Sequence, residues 1–390
     1  MQRPPARRWS DTVVPSVVFY ISGHGFGHAS REIAVVNALI PRLRGHEIVI
    51  RTSAARWLFD HGIRGDFTYR AGDCDTGVVQ IDSLRLDARE TIARADAFTR
   101  RLPDDAAREA RLLRDRSARL VVSDAPPLGC AAARAAAIPS VVLSNFTWDW
   151  IYEEYADELK SAPALVPAIR EAYRAAEAAW RLPLGGGFQT FDRIVDVPFV
   201  ARHAAHDRGT VRERLHLPAD RPVVLSSFGG YGVTGFDAGL LDCLDEWAVV
   251  LTGRDEPPAL PAGVHFLRDP LIYEAGLHYE DLVAAADVVA TKPGYGILAD
   301  CLANDTAMLY TSRGRFAEYE VMSAGMPQYI RCEFVPQDDM LGGRWREALA
   351  RLIRQPPPPT RPRTDGAEIV AKMIVDRLQP EASSRPAWSS

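Results

Sequence analysis

Residues 17–50 hold the unit that most restricts the fold. Val17–Ile21 (Val-Val-Phe-Tyr-Ile) is a short apolar run of β-forming residues. A glycine-rich turn follows, Ser22–Gly27. His28 to Leu43 then carries apolar residues at Ile33, Val36, Leu39, Ile40 and Leu43, a helical spacing. Gly45 ends that helix, and Ile48–Ile50 reads as the next strand. Strand, tight turn, helix and strand in so short a span is the grammar of a parallel sheet with helices on its faces.

The unit recurs. Phe67–Tyr69, Leu120–Val122 and Val141–Leu143 read as further strands, with helices at 54–61, along an Arg/Ala-rich stretch up to Arg116, and at 130–137. Residues 162–180 are expected to be helical, broken by Gly185–Gly187. A second series begins after Val197-Pro198: strands at 223–225, 247–251, 264–267, 288–290 and 307–310, with helices at 279–286 and 297–303. The expected fold class is therefore α/β, two facing doubly wound Rossmann-like domains. The boundaries are a disordered extension over 1–15, a first Rossmann-like domain over 16–198 and a second over 199–355. A Pro-rich spacer, helix and tail occupy 356–390. Ligands of such sheets sit outside the carboxyl ends of the strands, so a cleft between the domains is the expected site.

Composition narrows the class. Hydrophobic residues make up 47% and charged residues 25%, ordinary for a folded globular chain. The 46 basic residues are outweighed by 51 acidic ones, which gives no nucleic-acid footprint. No uninterrupted apolar run reaches the length a membrane helix needs, so no stable membrane insertion is expected. Met1–Thr12 is Arg-rich and broken by prolines, unlike a secretory signal. The five cysteines form no CxxC pair, and a reducing cytoplasmic location fits them.

Three strand-to-helix junctions carry the candidate chemistry: Gly23–His28, Ser226–Gly230 and Lys292–Gly296. Gly25, Gly27, Gly229, Gly230, Gly294 and Gly296 would let backbone N–H groups approach an anion such as a diphosphate, and tight-turn geometry alone would also explain them. His24 and His28 lie in the first junction, where a histidine faces a cleft and can act as a general base. Asp124 ends a strand that could neighbour the first, where it could hold a histidine or simply cap the next segment. Trp148, Tyr152 and Tyr155 share one helical face, as core or as a sugar-stacking platform. Asp300, six residues after Gly294, could accept from ribose hydroxyls. Glu318 and Glu320 follow the next strand and could bind hydroxyls or water.

These motifs, in order, resemble the GT-B family of nucleotide-sugar-dependent glycosyltransferases. The strongest likeness is to the glycosyltransferase-like N-terminal region of plant L-arabinokinases. It rests on Gly23–Ala29, Val121–Asp124, Asn145–Asp149 and Gly294–Gly296. A weaker likeness is to the N-acetylglucosaminyltransferase that makes lipid II.

The resemblance implies transfer of a hexosyl or pentosyl unit from a nucleotide diphosphate sugar, UDP-linked, to an acceptor hydroxyl with inversion. His28 would be the base, with Asp124 beside it and His24 as the rival histidine. Gly294, Tyr295, Gly296, Asp300, Glu318 and Tyr319 would hold the donor; Asn145, Trp148 and Asp149 the acceptor, a small molecule or glycan. Members usually carry glutamate where this chain has the shorter Asp300. No metal and no cofactor beyond the co-substrate is expected; the Asp73-Cys74-Asp75 spacing is read as a polar surface turn. A homodimer is compatible with this reading. A non-catalytic nucleotide-sugar sensor and a nucleotide-sugar epimerase are the alternatives on the same fold.

Overall fold

The computed structural model describes residues 14–228, 234–253 and 259–379. Gly229 and Gly230, most of the expected N-terminal extension and the tail beyond 379 lie outside the described residues.

Two parallel sheets organise the chain. The first is built from β1 (Ser16–Ile21), β2 (Glu47–Thr52), β3 (Thr68–Ala71), β4 (Ala118–Asp124), β5 (Ser140–Phe146), β6 (Ala178–Gly186) and β7 (Ile194–Asp196). Its spatial order is β3-β2-β1-β4-β5-β6-β7. The second contains β8 (Val223–Ser227), β9 (Ala248–Gly253), β10 (Val264–Arg268), β11 (Val288–Thr291), β12 (Ala307–Tyr310) and β13 (Cys332–Phe334). Its order is β10-β9-β8-β11-β12-β13. Each order reverses once, between β1 and β4 and between β8 and β11. In an open parallel sheet a ligand crevice opens at such a reversal, at the carboxyl ends of the strands. The central strands are buried on both faces, which is why they read as unbroken apolar runs rather than alternations.

The register sets up the chemistry. In the β1–β4 pair Ile21 lies beside Asp124, so the aspartate ends level with the glycine-rich turn. The helix Phe26–Leu39 follows that turn with Gly25 as its N-cap at φ 72°, a left-handed conformation that favours glycine. In the second sheet the helix Tyr295–Ala303 follows β11 with Gly294 as its N-cap.

Three expectations are corrected. Residues 162–180 are not one helix: a helix covers Leu165–Tyr173, and Trp180 is a fully buried residue of β6. Pairing of β6 between β5 and β7 overrides the helical preference of its alanines, and Gly185 and Gly186 end a strand rather than break a helix. The Arg/Ala-rich stretch is two helices, Ala88–Arg100 and Leu102–Asp115, with proline in the first turn of the second. The last helix, Gly366–Leu378, is no appendage. Ala367, Val370, Ala371 and Ile374 pack into the core of the first sheet with Val17, Ile33 and Val36. The chain thus crosses to the second sheet near residue 199 and returns near 365. The two crossings are joined where Phe199 N–H donates to Arg363 O at 3.2 Å and Gly366 N–H to Phe199 O at 3.0 Å. Among the described residues no helix is long and apolar enough to cross a membrane.

Candidate active site between the two sheets

The two reversals face each other across a cleft of about 850 Å³. Their helices start almost in contact: a Cβ placed on Gly296 would sit 3.2 Å from Gly27 Cα. The glycines therefore serve close approach of two helix N-termini, and both lend partial positive charge to one space.

On the first-sheet side His28 is buried and lines the cleft. Its Nδ1 lies 3.0 Å from Asp124 Oδ1 and 3.1 Å from Arg31 Nη2; since the carboxylate can only accept, the pairing with Asp124 puts a proton on Nδ1 and leaves Nε2 facing the cleft side of the ring. Arg31 also reaches Asp124 Oδ1, and its other terminal nitrogen donates to Asn145 Oδ1 at 2.5 Å. Burial works against the Asp124 charge, but Arg31 and His28 outweigh it and hold the carboxyl below its usual range. Asn145 in turn donates to Pro183 O at 2.8 Å. It sits in the network behind His28.

His24 lines the same wall, with Nε2 3.1 Å from the Gln80 side-chain amide. Burial, then His28, Arg313 and Lys292, keep it well below the usual histidine range, so it stays uncharged. Whichever way the amide sits, that nitrogen is engaged, whereas His28 has the carboxylate behind it.

Asp75, expected in a surface turn, is buried. Ser22 Oγ donates to its Oδ1 at 3.0 Å and Trp148 Nε1 to its Oδ2 at 2.7 Å. Burial pushes its carboxyl up to about 6, with His28 and the two hydrogen bonds acting the other way. Asp75 thereby fixes the indole of Trp148, whose ring lies 5.9 Å from His24 and stacks on Tyr152 at 5.6 Å. Of the three aromatics on the predicted face, only Trp148 lines the cleft; Tyr152 and Tyr155 are core residues. Asp149 points elsewhere: its Oδ2 accepts from Arg170 Nε at 2.9 Å, and it is not among the cleft-lining residues. Its expected acceptor contact does not fit this placement, because the first turn of its short helix turns it toward Arg170.

On the second-sheet side Gly294, Tyr295, Gly296 and Asp300 line the cleft. Tyr295 donates from its hydroxyl to Leu184 O at 2.8 Å, tying the helix start to the first domain. Asp300 is held by Arg202, whose Nη2 donates to Oδ2 at 2.5 Å and whose Nε donates to Oδ1 at 3.3 Å. Arg202 also pairs with Glu280 at 3.2 Å. Glu318 is buried and accepts from Arg313 Nη1 at 2.9 Å, while the guanidinium sits 3.7 Å over the Phe316 ring. Burial and then Arg313 push the Lys292 ammonium well below its usual range, against Glu318. Its Nζ would lie 3.8 Å from a Cβ at Gly294, beside the helix start. Tyr319 packs against the aromatic cluster and does not line the cleft.

Sequence reasoning missed Arg31, Asp75, Lys292 and Arg313. Arg31 carried one usable signal, its i+3 spacing from His28 on the same helix face. Lys292 carried another, since it adjoins the glycines of its junction.

No family model matches the chain. L-arabinokinase of Arabidopsis thaliana is 31% identical to it over 344 residues, 87% of this chain and 32% of that protein. The chain thus spans about a third of the length of this curated relative. Among solved structures, the calicheamicin glycosyltransferase CalG4 superposes with a TM-score of 0.58 at 18% identity, covering 94% of this chain and 99% of that one. UGT2 of Phytolacca americana, complexed with UDP-2-fluoro-glucose and pterostilbene, gives 0.57 at 10% identity, covering 93% and 94%. These likenesses establish the fold as GT-B, two facing Rossmann-like domains.

Proposed function

We propose that the protein is a glycosyltransferase that moves a hexosyl or pentosyl unit from a UDP-linked sugar to an acceptor hydroxyl with inversion. The observation that carries this reading is the placement of the His28–Asp124 pair at one sheet reversal, opposite a glycine-opened helix N-terminus at the other. The relative and the solved neighbours, whose names describe sugar phosphorylation and sugar transfer, support a sugar-handling role.

In this reading His28 Nε2 takes the proton of the acceptor hydroxyl while Nδ1–H stays on Asp124. The oxygen attacks the anomeric carbon as the bond to the diphosphate breaks. The leaving diphosphate is stabilised by backbone N–H groups at Gly294–Gly296 and by the Lys292 ammonium, which a bound anion would keep protonated. Inversion follows because the base and the groups that receive the leaving anion belong to opposite walls. Trp148 offers an apolar face to the acceptor, and Glu318 with Arg313 offers hydroxyl contacts to the sugar. The reading includes no metal ion.

The test is His28→Ala, followed by calorimetry with UDP and by UDP release from a panel of UDP-sugars and acceptors. Turnover is expected to fall by about 10² to 10⁴-fold with UDP affinity unchanged. Near-normal turnover in His28→Ala, together with loss in His24→Ala, would move the base to His24.

A further inference from the structure

Behind the His28–Asp124 pair lies a second carboxyl group that the proposed chemistry does not use. Glu32 follows His28 by four residues on the same helix, so both side chains lie on one face. It is wholly buried, with no exposed surface. Both of its carboxyl oxygens lack a hydrogen-bond partner among the described residues, and so do Asp124 Oδ2 and the Nε–H of Arg31. A buried carboxylate oxygen without a partner forfeits the hydrogen bonds of water, a penalty that folded proteins rarely tolerate. One proton removes most of that penalty. A carboxylic acid donates as well as accepts, so a protonated Glu32 can satisfy Asp124 Oδ2 and itself together.

We infer that Glu32 is a neutral acid whose O–H donates to Asp124 Oδ2, and that it is a positioning residue for the His28–Asp124 pair. Asp124 then receives donors on both oxygens: His28 Nδ1–H and Arg31 on Oδ1, Glu32 on Oδ2. The carboxylate cannot rotate, and its Oδ1 stays aimed at the imidazole. The charged groups acting on Glu32 agree with this state. Burial and the neighbouring Asp124 push its carboxyl well above the usual range, and Arg31 opposes them less strongly. Asp124, held low by Arg31 and His28, keeps the charge of the pair. The neutral Glu32 also sets the charge of the group. Arg31 balances Asp124, so the cluster is neutral while His28 is neutral and gains a single positive charge when His28 takes a proton. An ionised Glu32 would pair with that imidazolium and hold the proton in place.

This positioning role rests on the reading of His28 as the base, whereas the protonation of Glu32 does not, and the experiment separates the two. Infrared spectra of the ligand-free full-length protein should show the carbonyl band of a buried protonated carboxylic acid at neutral pH. The band should vanish in Glu32→Gln. Histidine-selective ¹⁵N NMR should place the neutral His28 proton on Nδ1 in the wild type. Glu32→Gln keeps a donor of the same shape and should retain that tautomer; Glu32→Leu removes the donor and should give a mixture. Absence of the band, its survival in Glu32→Gln, or a tautomer that Glu32→Gln scrambles would overturn the inference. Should Glu32→Leu fail to fold, the band and the Glu32→Gln spectrum decide alone. None of these readouts uses turnover, so an inactive protein or a base other than His28 would leave them intact.

Discussion

Burial of a carboxyl group at Asp75, which holds the Trp148 indole, ties the wall of the candidate site to pH. Its folded-state value, about 6, lies above the ordinary 3.8. The folded protein therefore binds this proton more tightly than the unfolded chain does. Between those two values stability falls as pH rises, and above about 6 the loss is complete, on the order of 3 kcal/mol. Asp75→Asn keeps an acceptor for Trp148 Nε1 and removes the charge. Its denaturation midpoint should match the wild type at pH 4 and exceed it at pH 8; equal midpoints at both would contradict the assigned cause. Asp300 presents the opposite case, a charge that is paired. Removing it in Asp300→Ala leaves the half-buried Arg202 paired with Glu280 alone, so stability should drop by about 1–3 kcal/mol in urea titrations. A ribose contact would add a loss of UDP affinity of about 1.5–3 kcal/mol by calorimetry. His28, Asp124 and Asp300 were legible in the sequence because glycines and strand ends flag them. Arg31, Glu32 and Asp75 were not, since what marks them is burial and partners distant in sequence, Asp124 for Arg31 and Trp148 for Asp75, which no local pattern records.

Helices and strands meet at glycines whose job is spacing. Gly296 is the sharpest case. Its neighbour across the cleft is the Gly27 backbone, at 3.2 Å from an added Cβ, and backbone cannot rotate away as a side chain can. Gly296→Ala should push the two helix starts apart at a cost of about 1–3 kcal/mol, felt between the domains and not inside either. Thermal melting should stay near that of the wild type. Turnover should fall at least about tenfold, and solution scattering should show a wider particle in the presence of UDP. An unchanged scattering profile with normal turnover would mean the cleft has slack the geometry does not indicate. Most elements that hold such contacts were readable: β1, β4, β8 and β11 are apolar runs that give way to serine, threonine or aspartate. β6 was not, because Ala178-Ala179 continues an alanine-rich helical stretch and only its partners β5 and β7 make it a strand. The short β7 and β13 gave too few residues for any period to show.

At the scale of the molecule, chain order and domain membership part company at the C-terminus. A proline run at 356–359 reads as a spacer, and the helix beyond it reads as a segment outside both domains. The core says otherwise. Val370, Ala371 and Ile374 are fully buried against residues of β1 and the helix that carries His28. Leu-, Ile- or Val-sized side chains removed from such a core cost about 2–5 kcal/mol each, and a domain holds only about 5–15 kcal/mol in all. A chain ending at residue 355 would lose four buried apolar side chains and expose the face of the Phe26–Leu39 helix that they cover. It would also lose the strap between the two crossings, where Gly366 N–H meets Phe199 O. Truncation after 355 should therefore unfold the first sheet, although its strands lie entirely before residue 197, while leaving the second sheet its own core. Ile374→Ala is the graded version, with an expected loss of about 2–5 kcal/mol. Trp180, buried in β6 with Arg377 of the last helix 5.4 Å over its ring, contributes a buried fluorophore on the first sheet. In the truncated chain its emission should shift to that of a solvated indole before any denaturant is added. A truncated protein that kept the buried emission and the wild-type midpoint would leave this helix outside both domains.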